Sequence, residues 1–202
     1  MFTYKPTLLA LLLAGIMMTF TTQAGAAPKA SAVFAGGCFW CMQPAFDKVH
    51  GVLDTVVGYT GGTTKNPTYE QVGTGTTGHF EAIKVDYDPQ KVSYEGLLRI
   101  FWHNVDPFDD KGQFCDKGPT YRSAIFYANP SEKKEAEASK MMVEKRFKQP
   151  VVTEILKAKE FWPAEEYHQD YYKKNPIRYK FYRYRCGRDA RLMEVWGSDY
   201  KH

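Results

Sequence analysis

Apolar and polar positions change period several times along this chain, and each change marks a predicted element. Ala32-Val33-Phe34-Ala35 is a short apolar run that ends at Gly36-Gly37 and leads into a helix. Val52 to Tyr59 is β-branched and aromatic and stops at Gly61-Gly62, which predicts a strand and a turn. From His79 to Tyr87, Ile83, Val85 and Tyr87 fall on one face and Lys84 and Asp86 on the other, the pattern of a half-buried strand. Asp88-Pro89 breaks it. Ser93 then caps a helix with Leu97, Leu98, Phe101, Trp102 and Val105 on its inner face. Tyr121 to Ala128 reads as a strand. Pro130 to Phe147 reads as a charged amphipathic helix, starting at Asn129 or Ser131. A short strand over Val151 to Ile155 and a helix over Ala164 to Lys174 follow. Residues 60–78 and 106–120 are long loops, and loops of that length inside a compact domain usually carry function.

The resulting order is β, α, β, β, α, β, α, β, α, then a tail. It lacks the regular alternation of a doubly wound parallel sheet. An α+β two-layer sandwich with a split-βαβ, ferredoxin-like core fits it, followed by a long irregular C-terminal tail from about residue 175. That tail alternates rings and cations, Tyr179-Lys180-Phe181-Tyr182-Arg183-Tyr184-Arg185, and is expected to be extended or strand-like.

The first segment changes the domain count. Lys5 precedes an apolar run of 13 residues, Leu8 to Phe20, shorter than the roughly 20 a membrane span needs. Ala24-Gly25-Ala26 has the form of a cleavage site. Residues 1–26 are therefore expected to be a secretory signal, and 27–202 one catalytic domain without stable membrane insertion. An exported, periplasmic monomer is the expectation. Losing Lys5 takes the formal charge from +4 to +3, too little for a polyelectrolyte partner, so nucleic acid is excluded despite the basic tail.

Chemistry concentrates at Gly36-Gly37-Cys38-Phe39-Trp40-Cys41. A thiol at a strand-to-helix junction lies where N–H groups and the helix dipole favour a thiolate. Three uses compete for this C-x-x-C. One is a thioredoxin-like dithiol of Cys38 and Cys41. Another is half a zinc site, for which Cys115 and Cys186 are too isolated to supply the companion pair. The third is one attacking cysteine with a separate partner. The literal G-x-G-x-x-G of residues 73–78 precedes a strand instead of a helix, so it is no dinucleotide site. As a flexible loop it would deliver His79 and Glu81 to a site. Buried beside rings, Glu81 would hold its proton at neutral pH. His79, His103 and His168 are scattered and read as structural.

Further motifs run in order through the chain: Gly58-Tyr59-Thr60-Gly61-Gly62, Asn66-Pro67-Thr68-Tyr69, Thr77-Gly78-His79-Phe80-Glu81, Phe101-Trp102-His103, Asp116 through Tyr121-Arg122-Ser123-Ala124-Ile125, and Ala164 to His168. With Gly37-Cys38-Phe39-Trp40 they resemble the A-type peptide methionine sulfoxide reductases. The resemblance implies that Cys38 attacks the sulfoxide sulfur and that Glu81 protonates the leaving oxygen. The hydroxyls of Tyr69 and Tyr121 would help to bind it, Asp116 would arrange the site, and Phe39 and Trp40 would hold the substrate methyl. It implies the S epimer of methionine sulfoxide, free or in proteins, as substrate, with no metal or organic cofactor. The sulfenic acid on Cys38 would condense with a second thiol, and a thioredoxin-like reductant would reopen the disulfide. The family's usual tail cysteine favours Cys186 as the resolving thiol, with Cys41 second and Cys115 third; Cys41 stands where many members carry glycine.

Overall fold

The structure is a computed structural model that describes residues 1–3 and 28–201. The expected secretory signal falls almost wholly on residues 4–27, outside the described residues. No helix among the described residues is long and apolar enough to cross a membrane.

The chain enters at strand β1 (Ala30–Gly36), passes through helix α1 (Phe39–Phe46) to β2 (Val52–Thr60), and after a short helix α2 (Tyr69–Gly73) forms β3 (Phe80–Tyr87). Helix α3 (Tyr94–Trp102) leads to a small hairpin, β4 (Gly112–Gln113) and β5 (Asp116–Lys117), and a 3-10 turn (Pro119–Tyr121). Strand β6 (Ser123–Tyr127), helix α4 (Pro130–Phe147), and strands β7 (Glu154–Lys157) and β8 (Trp162–Pro163) follow. Helices α5 (Tyr171–Lys174), α6 (Pro176–Arg185) and α7 (Arg188–Trp196) complete the chain.

Six strands form one sheet in the order β7-β6-β1-β3-β2-β8, antiparallel except for β6 and β7. β3 lies antiparallel between β1 and β2, so those two, joined by α1, run parallel to each other. The arrangement is α+β, as expected. Ile83, Val85 and Tyr87 meet Met42, Phe46, Leu97, Leu98 and Phe101 beneath the helices. Phe34 stacks between Phe46 and Phe101 at centroid distances of 5.2 and 5.4 Å. Burying such side chains is worth about 1.5–3 kcal/mol each. Ala35, Phe80, Ala82, Ala124 and Phe126 form a second cluster on the opposite face.

That second cluster corrects the half-buried reading of β3. A central strand with both faces covered hides even Asp86, whose carboxylate accepts from Ser31 and pairs with Lys29. The two long loops hold short elements, α2 and the β4–β5 hairpin. Thr68 closes a full capping box with Gln71 at the start of α2. The late strand begins at Glu154 and not Val151.

The larger correction concerns the end of the chain, which is helical. Pro176 occupies the first turn of α6, where a missing N–H costs nothing, and Arg183 and Arg185 complement its C-terminal dipole. Helical winding turns Tyr179 and Tyr182 inward and leaves Ile177, Phe181 and Tyr184 exposed. α7 buries Arg188, Leu192 and Trp196, spaced four apart on one face. Of the helix expected over Ala164 to Lys174, only Tyr171–Lys174 forms. The residues before it spend their side chains on the sheet. Gln169 accepts from the Val57 N–H and donates to the Val57 carbonyl at 3.0 and 2.9 Å, continuing the edge of β2 where β8 stops.

Candidate active site

The site grows from the turn between β1 and α1. Gly37 has φ +76°, and a Cβ there would stand 2.4 Å from the Gln113 Cβ, so the turn requires glycine. Cys38 follows as the residue preceding the first turn of α1. The freed N–H of Phe39 donates to Glu81 Oε2 at 3.0 Å, so an orphan amide of the helix start is satisfied by a carboxyl from β3. Glu81 shares the parity of Ile83 and Val85, which turns it to the helix side of the sheet, and it is only 2% exposed.

Cys38, Phe39, Trp40, Tyr69, Glu81, Asp116, Tyr121 and Tyr182 line one cavity of about 80 Å³, with room for a few water-sized groups. Seven of these residues were expected from the sequence, and they come from α1, α2, β3, β5 and the 3-10 turn. Tyr182, on α6, was missed. Its hydroxyl donates to Asp116 Oδ2, interacts with Cys38, and its ring meets Trp40 edge-on at 5.9 Å. A helical reading of residues 176–185, with Tyr179 and Tyr182 on one face, would have pointed to it.

His79 lies elsewhere. Its ring bonds the Gly62 N–H and the Thr64 carbonyl, bracing the loop before β3 instead of reaching the cavity. His168, set aside as structural, supports the site. Trp40 Nε1 donates to His168 Nδ1 at 3.0 Å, and Trp40 stacks on Tyr171 at 3.7 Å. Glu165 takes the Tyr59 hydroxyl and the Tyr69 N–H at 2.9 and 2.8 Å.

Burial raises Glu81 to about 8, the Phe39 N–H bond opposing and the Asp116 charge adding to the rise. At pH 7 it is then about nine-tenths protonated. Burial also pushes Tyr69 up to about 12 and Tyr121 higher still, so both hydroxyls keep their protons. Asp116 rises by burial, held back by the Tyr182 hydroxyl and Arg188.

Cys38 and Cys41 are free and buried, and their thiols interact. Burial of Cys38 opposes the thiolate expected there. Burial pushes Cys38 up, whereas the interaction with Cys38, opposed by burial and helped by Arg188 and Arg183, draws Cys41 down. Cys186, expected to resolve Cys38, is bonded to Cys115 with Cα atoms 4.9 Å apart. This disulfide adjoins the cavity, Cys186 Sγ lying 3.8 Å from Asp116 Oδ2. The potential metal-ligand cluster among the described residues, Cys115, Asp116 and Cys186, has its sulfurs bonded to each other and offers no thiolate.

Residues 30–200 match the family model described as peptide methionine sulfoxide reductase. A Caulobacter vibrioides protein named peptide methionine sulfoxide reductase MsrA 2 is 53% identical over 180 residues, 88% of this chain and 91% of that one. A Vibrio cholerae protein named MsrA/MsrB is 50% identical over 170 residues, but this chain spans only 45% of its length. Among solved structures, Mxr1 from Saccharomyces cerevisiae in reduced form superposes with a TM-score of 0.70 at 30% identity, covering 74% of this chain and 87% of that one. Mxr1 in complex with Trx2 shares the fold at a TM-score of 0.52 and 23% identity.

Proposed function

The chain belongs to the peptide methionine sulfoxide reductase family and reduces methionine S-sulfoxide at the expense of thiols, and on that premise we propose how its residues divide the work. One observation carries the assignment: Cys38 and a protonated Glu81 face the same small cavity. A sulfoxide oxygen leaves poorly until protonated, so a nucleophilic sulfur and an acid must coexist there.

The substrate methyl packs on Phe39 and Trp40, and its oxygen accepts from Tyr69, Tyr121 and Glu81. As Cys38 attacks the sulfoxide sulfur, its proton passes to the Cys41 thiolate. Glu81 protonates the oxygen, which passes to Cys38 as the bond between Cys38 and the substrate sulfur breaks and methionine departs; Cys38 is left as a sulfenic acid, and Glu81 regains its proton from solvent. Cys41, now a thiol in contact with Cys38, condenses with it, forming the Cys38–Cys41 bond and water. The Cys115–Cys186 disulfide supports Cys41 over Cys186 as the first resolving thiol, since Cys186 carries no thiol in that state. Asp116 and Tyr182 fix the wall of the cavity. A dithiol protein of the kind paired in Mxr1–Trx2 then regenerates the enzyme. We place this chemistry outside the cytoplasm, on the strength of the leader-like segment; N-terminal sequencing of the secreted protein should begin near Ala27.

Resolved sulfoxide epimers with a chemical thiol test the roles. Glu81→Gln should cut turnover of the S epimer by at least about a hundredfold. Thiol–disulfide exchange by Cys38 and Cys41, the competing use of this motif, needs no acid at Glu81 and should survive the same change.

A further inference from the structure

Helix α1 separates two cavities, and the cysteine pair joins them. Cys38 faces the small catalytic cavity. Cys41 lines a second cavity of about 770 Å³ behind the helix. That volume lies within the range of small-molecule sites. The proposed mechanism places no group there apart from Cys41.

The lining has a definite chemical character. Lys48, Lys180 and Arg183 bring three cations to it, and Tyr172 and Tyr179 contribute rings. The single acidic residue of the lining, Asp189, is already paired with Arg183 at 2.6 Å. Lys48 and Lys180 are exposed and enter none of the ion pairs among the described residues. Arg188, fully buried close by, adds its charge to the field at Cys41. The site therefore favours an anion that also presents a sulfur. Cys41 is only 1% exposed, and residues of α5 and α6 line the cavity over it.

We propose that this rear cavity binds an anionic low-molecular-weight thiol, which reduces the enzyme directly at Cys41. The inference rests on the reading of Cys41 as the thiol that resolves Cys38. The thiolate of a first molecule attacks Cys41 Sγ in the Cys38–Cys41 bond. The electron pair of that bond leaves on Cys38, which takes a proton. A second molecule attacks the non-protein sulfur of the mixed disulfide, releasing the small disulfide and the Cys41 thiolate. Two thiols are oxidised and one protein disulfide is reduced. Sulfoxide and reductant thus act from opposite sides of α1.

The double variant Lys48→Glu/Lys180→Glu tests this with two thiols at saturating sulfoxide: glutathione, which is anionic, and dithiothreitol, which is neutral. The apparent KM for glutathione should rise about tenfold, with dithiothreitol-driven turnover unchanged. Mass spectrometry of Cys38→Ser treated with oxidised glutathione should place the adduct on Cys41. Equal responses to both thiols, failure of glutathione to support turnover, or an adduct confined to Cys115 or Cys186 would overturn the assignment. A single turnover without reductant separates the underlying reading. If peptide mapping finds no Cys38–Cys41 bond, both fall; if it finds the bond and thiol use ignores charge, only the rear site falls.

Discussion

At the scale of single residues, the chemistry depends on two protons held against their ordinary tendencies. Glu81 keeps one because it is buried, and burial, reinforced by the neighbouring Cys41, holds the other on Cys38. Reduction driven by a thiol of fixed ionisation should therefore fall as pH rises through about 8, where Glu81 loses its proton. In Glu81→Gln that alkaline limb should vanish along with most of the activity; an unchanged limb would assign it to another group. Tyr182→Phe keeps the ring against Trp40 and removes the hydroxyl from Asp116. The expected result is a drop of about tenfold in kcat with KM nearly constant, read in steady-state assays on the S epimer. The part of this constellation drawn from Cys38, Phe39, Trp40, Tyr69, Glu81, Asp116 and Tyr121 was legible because motif residues mark it. Tyr182 was not, because an alternation of rings and cations has the period of a strand when read flat and presents a wet helix face when wound.

At the scale of elements, the turn into α1 and the terminal helices do the positioning. Gly37→Ala would force a side chain into Gln113, which itself clamps the Asp106 backbone with two bonds of 2.8 Å. It should cost about 2–3 kcal/mol in chemical denaturation. Arg188, at the start of α7, donates to the carbonyls of Gly36 and Asn104 at 3.1 and 2.6 Å and lies over the Phe114 ring. This one guanidinium ties the last helix to the end of β1, next to the cysteine turn. Arg188→Met should strand both carbonyls, lowering stability by about 3 kcal/mol, and should raise the pH at which Cys41 is alkylated by iodoacetamide. A variant less stable but with an unmoved alkylation profile would confine Arg188 to packing. Residues 164–170 show the opposite case, in which helix-compatible residues stay irregular because Glu165, His168 and Gln169 bind β2, α2 and Trp40.

For the whole molecule, the buried acid leaves a signature on stability. Glu81 has a folded value of about 8 against 4.5 for the free group. The native state therefore binds its proton more tightly than the unfolded chain does. That contribution is fully present below pH 4.5 and is lost as pH rises to about 8. The loss should amount to several kcal/mol, on the order of 5. Cys41, drawn below the usual thiol range, acts in the opposite sense and Cys38, pushed up by burial, in the same sense as Glu81. The difference between wild type and Glu81→Gln reports Glu81 together with its interaction with the cysteine pair. Its denaturation free energy should favour the variant progressively between pH 5 and 8; a flat difference would mean Glu81 is ionised in the native state.

Local pattern alone determined the early strands, α3 with its Ser93 cap and α4 with its bounds, and the family motifs marked the residues that line the small cavity. Those features depend on neighbours within a few residues, or on motifs whose chemistry is written in residue type. Only the tertiary structure decided that β3 is covered on both sides, that the tail winds into helices, and that Cys115 takes Cys186 while Cys41 stays against Cys38. Each of these turns on which distant surfaces meet: burial of a face, docking of α7 through Leu192 and Trp196, and approach of sulfurs separated by 71 residues. No short-range period encodes such a meeting, because its free energy belongs to two segments at once.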